Sequence, residues 1–406
     1  MAPAAAETTA ALRTAPDAGA EDGIPFGRYK LRALFAMLAA LASLPFYALL
    51  YALSPRTKNL KMYLFGRAFS TMMRVNGGFR APESWDEAAT TTPHSLDPGT
   101  TRKVYGAMDV HVVTVPPSSR PQEAFTLGPE VVKPAKRPGF IVSPPGARGK
   151  GGAKAAKGEK LLFYLHGGAY IGGHPLWTPF GGEIAQSTAL RLLGVQYRKA
   201  ADAATAFPAP LLDALAAWEY ATATLGFAAR DIIVVGDSAG GHLSLALVAQ
   251  LAATGQPAPG GLALLSPWAD FTASSDTYNT NKGTDLIYPP SLARAARSAA
   301  RHYTPDAVRG RLFSPALADE GAWRSLASAR VYIWAGTREV FIGEIEALVK
   351  GMRRDGVAVE FYQDVGGVHN GAMLGFKDEA WDHFQGGLRD IVRDLYVQNG
   401  EDVYLP

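Results

Sequence analysis

The chain predicts an α/β fold, a mostly parallel central sheet with helices on both faces. Beyond Lys160, short apolar runs alternate with stretches of helical period, the order that builds a parallel sheet. The 406 residues are 48% hydrophobic with a net charge of +3, enough for one large catalytic domain and extra elements. No cysteine is present, which excludes disulfide scaffolding, thiolate metal sites, iron–sulfur clusters and cysteine nucleophiles. The composition also excludes a coiled coil and a chain disordered throughout. With 40 Lys and Arg against 37 Asp and Glu there is no sustained basic stripe, so no nucleic-acid partner is expected.

Residues 1–22 are Ala-rich, contain Pro3 and Pro16, and carry Glu7, Asp17, Glu21 and Asp22. Those acids argue against a mitochondrial transit peptide, and residues 1–32 read as a disordered tail. Ala33 to Leu53 then runs 21 residues without a charge. At ~1.5 Å per residue it spans roughly 30 Å, the thickness of a bilayer's hydrocarbon core. Arg28, Lys30 and Arg32 flank one end, Arg56, Lys58 and Lys61 the other, and Tyr47 and Tyr51 lie near the second boundary. Residues 33–53 therefore read as a single-pass transmembrane anchor. The alternatives are an apolar cap helix on a soluble domain and a cleaved signal peptide, for which the apolar run is too long. Basic residues balance on the two sides and no Asn-x-Ser/Thr sequon occurs, so the sequence does not orient the anchor.

Residues 54–100 read as cap or linker elements, and 101–406 as the catalytic domain. Lys103–Val115 alternates enough for a first strand. Pro116 to Lys160 is rich in Pro and Gly, and its last part, 145–160, ends in a Lys/Gly/Ala run expected to be a flexible, solvated surface loop. Leu161–Leu165, Arg191–Tyr197, Ile232–Val235, Gly261–Leu265 and Val331–Trp334 then read as buried strands. Pro208–Thr224, Gly240–Ala253 and Gly343–Arg354 read as helices between them.

Gly236-Asp237-Ser238-Ala239-Gly240 fits G-x-S-x-G between a strand and a helix. That setting suits a sharp turn that lifts the Ser238 hydroxyl from the sheet for nucleophilic attack. His166-Gly167-Gly168-Ala169-Tyr170 directly follows the strand Leu161–Leu165. Its glycines leave backbone N–H groups uncovered, so Gly167 and Gly168, with the N–H of Ala239, are the expected donors to a developing oxyanion. A base must follow. Of His94, His111, His166, His174, His242, His302, His369 and His383, His166 belongs to the glycine strip itself, and His369, downstream of the serine, stands in a glycine-rich loop after a strand-like run, Val357–Tyr362. Glu339 follows the run Val331–Trp334 and falls in the order serine, acid, histidine; Asp364 and Glu344 are the competing carboxylates. Tyr170, Asp237 and Trp268 are candidate substrate-binding residues, with core packing the alternative for Trp268 and its neighbour Phe271.

Over roughly residues 160–395 the chain resembles the hormone-sensitive-lipase-like branch of the α/β-hydrolase fold, which includes arylacetamide deacetylase and fungal steryl acetyl hydrolases. The resemblance rests on His166–Tyr170, Gly236–Gly241, Tyr197-Arg198, Phe207-Pro208 with Asp213, Ser266-Pro267-Trp268 with Asp270, Ser314-Pro315, Gly336–Glu339 and His369. It implies an α/β-hydrolase domain with a helical cap and a triad of Ser238, Glu339 and His369, acting on a small, hydrophobic, short-chain ester without metal or organic cofactor. Two departures stand out: Ala169 replaces the usual third glycine, and Glu339 stands where Asp is commoner. By analogy the N-terminal anchor implies a single-pass protein of the endoplasmic reticulum membrane. An amidase or deacetylase with the same triad is the alternative, and a non-catalytic ligand-binding receptor on the same scaffold a further one.

Overall fold

The apolar runs become strands of one sheet. In the computed structural model, which describes residues 26–55, 57, 60–75, 103–118, 132–374 and 379–405, these are β1 Asp109–Val115, β2 Arg137–Ser143, β3 Leu161–Leu165, β4 Arg191–Val195, β5 Ile232–Asp237, β6 Gly261–Leu265, β7 Arg330–Gly336 and β8 Val359–Asp364. Their order across the sheet is β1-β2-β4-β3-β5-β6-β7-β8. β2 runs antiparallel to both β1 and β4, and the strands from β4 to β8 are parallel. Alternation within a strand feeds two cores. Leu161, Phe163 and Leu165 join one, Leu162 and Tyr164 the other.

Eight helices matter here: α1 Phe26–Leu53, α2 Leu60–Val75, α3 Phe180–Thr188, α4 Ala209–Glu219, α5 Ala239–Ala253, α6 Pro289–Ala299, α7 Ile342–Arg354 and α8 Glu379–Gln398. α4, α5, α6 and α7 cover the first core, and α3 and α8 the second. α5 is apolar all round and buried through Leu251, as a helix enclosed beneath a sheet must be.

Several boundaries differ from the sequence reading. The first strand begins at Asp109, because Lys103–Gly106 forms a helical turn. β2 was hidden in the Pro/Gly-rich stretch: a β-carbon on Gly139 would lie 2.9 Å from Val113 Cγ2, so the glycine admits its neighbour's side chain. The helix expected at Pro208–Thr224 stops at Glu219 and continues as a wider π-type turn. In the Lys/Gly/Ala run, Lys150, Lys154 and Lys157 are exposed, but its end is tied down. Glu159 pairs with buried Arg191 at 2.6 Å, Arg191 also donates to the carbonyls of Gly151 and Ala153, and buried Lys160 bonds Asp231 and Glu401 at 2.6 Å each.

The expected disordered tail is helical from Phe26 onward; residues 1–25 of it lie outside the described residues, as do 76–100 of the expected cap or linker. α2 occupies residues 60–75 of that linker. Met62 on α2 is buried against Leu286 and Val368, and Arg67 donates to the Lys282 carbonyl at 3.1 Å. α1 contains one stretch, Leu34–Leu53, long and apolar enough to cross a membrane. Tyr47 and Tyr51, expected at a lipid interface, instead turn toward α2: Tyr47 meets Thr71 and Tyr63, and Tyr51 stacks near Tyr63.

Candidate active site

The turn after β5 is sharp. Ser238 has φ 55° and ψ −121°, a backbone that side chains rarely adopt. Its N–H donates to Leu265 and its carbonyl accepts from Trp268, which fixes it from both sides. The flanking glycines are obligatory: a β-carbon on Gly240 would collide with the Leu165 carbonyl, and one on Gly236 with the Gly240 carbonyl. The Ser238 hydroxyl therefore stands at the N-terminus of α5, where developing negative charge is favoured.

The loops after β7 and β8 lie beside it. His369 Nε2 is 2.9 Å from Ser238 Oγ, and His369 Nδ1 is 2.9 Å from Glu339 Oε2. A carboxylate only accepts, so Nδ1 carries the proton and Nε2 is the free base facing the hydroxyl. Glu339, rather than Asp364 or Glu344, reaches the imidazole. Glu344 accepts from the N–H groups of Ala269 and Asp270 and from the Tyr278 hydroxyl. Asp364 ends β8, packed beneath Gly367. Glu339 Oε1 accepts from the Gly336 N–H, and the edge of Phe341 closes on the imidazole at 4.9 Å.

All three side chains are buried, with relative exposures of 8% for Ser238, 3% for His369 and 0% for Glu339. Burial pushes Glu339 upward, the Ser266 hydroxyl and the Gly336 N–H pull it down, and the Nδ1–H of His369 on Oε2 favours the ionised form, the one that accepts. Burial also holds His369 below its ordinary value, while Asp285 and Asp237 pull the other way. A neutral imidazole at pH 7 is the form that can accept a proton.

The oxyanion strip requires a correction. The Gly167 N–H donates to Asp237 Oδ1 at 2.9 Å and is not the free donor expected. Buried Asp237 has a carboxylate to satisfy, and Gly167 is its nearest backbone donor. Among the described residues the N–H groups of Gly168, Ala169 and Ala239 make no hydrogen bond and lie on the two strips flanking Ser238. Ala169 takes φ 53°, so the methyl that replaces a glycine there is borne in a left-handed backbone.

The three candidate substrate-binding residues are each engaged within the protein. Tyr170 is buried with its hydroxyl 2.6 Å from His242 Nδ1. Trp268 is buried, stacks on Phe271 at 4.0 Å and donates its indole N–H to the Asp270 carbonyl. Asp237 accepts from Tyr164 and Gly167 on Oδ1 and from Asn370 on Oδ2. The rejected histidines are likewise engaged: His166 contacts the Gly167 carbonyl and Lys199, and His242 is so buried that its value falls to about 3.

Two residues of the site were given no role by sequence reasoning. Asp285 is fully buried between the acid and base loops; it accepts from the His369 N–H at 3.0 Å and the Val340 N–H at 2.8 Å. Ser266 accepts from the Asn370 N–H and donates to Glu339. The Ser266-Pro267-Trp268 run marked the second of these; Asp285 sits in the aperiodic stretch Asn281–Tyr288, where no sequence signal singles it out.

A family profile described as alpha/beta hydrolase fold matches residues 162–373, just over half of the chain. The chain belongs to the α/β-hydrolase family. Among curated relatives, this α/β-hydrolase is similar to an acetyl-hydrolase of Streptomyces hygroscopicus, 28% identical over 51% of the chain and 66% of the relative. It is also similar to an esterase of Acinetobacter venetianus, 30% identical over 40% of the chain and 52% of the relative. The chain thus spans between about half and two thirds of these relatives. A hormone-sensitive lipase from a metagenome library superposes with a TM-score of 0.60 at 23% identity, covering 81% of this chain and 98% of that one, a likeness in fold.

Proposed function

We propose that this α/β-hydrolase is a serine carboxylester hydrolase acting on short-chain, hydrophobic esters. The reading rests on the continuous hydrogen-bonded run from Ser238 through His369 to Glu339. Ser238 Oγ attacks the ester carbonyl while His369 Nε2 takes its proton, and the carbonyl electrons become an oxyanion held by the N–H groups of Gly168, Ala169 and Ala239. The tetrahedral intermediate collapses, and the imidazolium gives its proton to the departing alcohol, leaving an acyl-serine. Water, deprotonated by the same His369, attacks the acyl carbon; the acid departs and Ser238 regains its proton. Glu339 holds the tautomer and stabilises the imidazolium without itself taking the proton. The acetyl-hydrolase and esterase names of the relatives support the ester class and a short acyl group. The apolar helix Leu34–Leu53 supports a membrane seat.

The test is hydrolysis of p-nitrophenyl esters from acetyl to palmitoyl by the full chain in detergent, beside its Ser238→Ala variant. Turnover greatest on short chains and lost with the hydroxyl supports the reading. A folded wild-type chain that hydrolyses no member of the series would refute it.

A further inference from the structure

The inner and outer sides of α1 differ sharply. Ala36 and Ala40 are buried and Tyr47 and Tyr51 half-buried, at the spacing of one helix face, and that face is packed on α2. On the outer face Leu34, Phe35, Leu38, Leu41, Phe46, Leu49 and Leu53 are all more than 45% exposed. This is an uncharged apolar strip running the length of Leu34–Leu53, about 29 Å at ~1.5 Å per residue. A patch of that extent in a folded protein marks a surface for an apolar partner.

Two partners compete geometrically: the two leaflets of a bilayer that α1 crosses, or one leaflet on which it lies. The neighbours of α1 decide between them. Tyr47, on the inner face, receives the Arg67 guanidinium at 5.1 Å over its ring, and Arg67 also donates to the Lys282 carbonyl. Met62, from the same helix as Arg67, is wedged against Leu286 and against Val368, the residue before His369. If α1 crossed a bilayer in this arrangement, Arg67 and the non-helical Lys282 backbone it bonds would enter the hydrocarbon, where a charge and irregular backbone facing lipid are both costly. With α1 lying along the surface, the apolar face enters lipid and α2 with its arginines stays on the watery side.

We infer that α1 lies in the plane of one phospholipid leaflet, outer face down, and clamps the cap helix α2 between the membrane and the His369 loop. The occupant of the strip is the acyl region of that leaflet. The basic residues at the ends of the run, Arg28, Lys30 and Arg32 before it and Arg56 and Lys58 after it, match acidic headgroups. The inference rests on the membrane reading above and replaces its crossing geometry. It sets the His369 loop, through Met62 and Val368, against a membrane-seated helix pair, which favours esters that partition into a leaflet as substrates.

The absence of native cysteine makes the test direct. The full-length variants Phe35→Cys, Phe46→Cys and Leu53→Cys each carry an NBD label and bind mixed phosphatidylcholine and phosphatidylserine vesicles holding a shallow or a deep spin-label quencher. The expected result is a blue shift of emission at all three sites, with one common ratio of shallow to deep quenching. A ratio that swings to the deep quencher at Phe46 while both ends stay shallow means that α1 crosses, and overturns the inference. Emission that stays water-like at all three sites overturns it too, together with the membrane seat. Hydrolysis of water-soluble p-nitrophenyl acetate, measured without vesicles, reports on the esterase reading separately.

Discussion

Asp285 should reveal how much of the chemistry depends on two loops being held in register. Its two oxygens face N–H groups of both loops: Oδ1 takes those of His369 and Leu286, and Oδ2 that of Val340. In Asp285→Asn one of those oxygens becomes an NH₂ group, so a buried backbone donor meets a donor. Leaving one such group unsatisfied costs about 1–3 kcal/mol. If the loops relax to relieve it, the same energy falls on the Ser238–His369 geometry, a loss in kcat/KM of roughly 5- to 150-fold. The charge adds a second, independent signature. Burial pushes Asp285 up to about 6, so it still carries its charge at the top of the acid limb, where it favours the His369 imidazolium. Removing that negative charge lowers the histidine further, and the acid limb of the kcat/KM profile should move to lower pH. The assay is p-nitrophenyl acetate hydrolysis from acid to mildly alkaline pH, with a thermal melt on the same samples. A variant that melts lower but keeps the parental limb and the parental rate per folded molecule would show that Asp285 only braces the fold. Parental values throughout would refute the reasoning altogether.

Glu339→Gln should keep the fold and lower kcat by about 10⁴-fold, the size of the corresponding carboxylate-to-amide change in a serine-protease triad, measured on the acetyl ester. In the parent, burial holds His369 below its ordinary value of 6.5, so kcat/KM should begin to fall only below that pH; a limb above 6.5 contradicts the burial argument. Arg191→Met strands Glu159, whose side chain is only 2% exposed, and should cost ~3–5 kcal/mol of stability in a denaturant melt while leaving the rate per folded molecule unchanged.

The parts of the site that sequence disclosed are those whose geometry is local. The elbow is legible because Gly236 and Gly240 must be glycine for the backbone to pass, whatever surrounds them. His369 and Glu339 follow from chain order, because the ends of parallel strands fall on one edge of the sheet. What escaped depends on partners far along the chain. Gly167 seemed a free donor until Asp237, 70 residues on, took its N–H. Asp285 finds its partners 55 and 84 residues away. β2 was hidden because its glycine is shaped by a neighbouring strand rather than by its own periodicity. The run 33–53 showed its hydrophobicity but not its inner face, since alanine, serine and tyrosine at helical spacing become a contact only once α2 is beside them.

The backbone of Ser238 carries a consequence for how such a chain ages under mutation. A φ of 55° with ψ −121° is open to glycine and awkward for everything else, at a cost of order 1–3 kcal/mol. Ser238→Gly should therefore yield a protein that is catalytically dead yet more durable than its parent. Durability alone would steer this position toward glycine. On the esterase reading proposed above, a hydroxyl at a turn where the scaffold would rest easier without a side chain is held there by turnover, and an inactive descendant would be recognisable by having let it go.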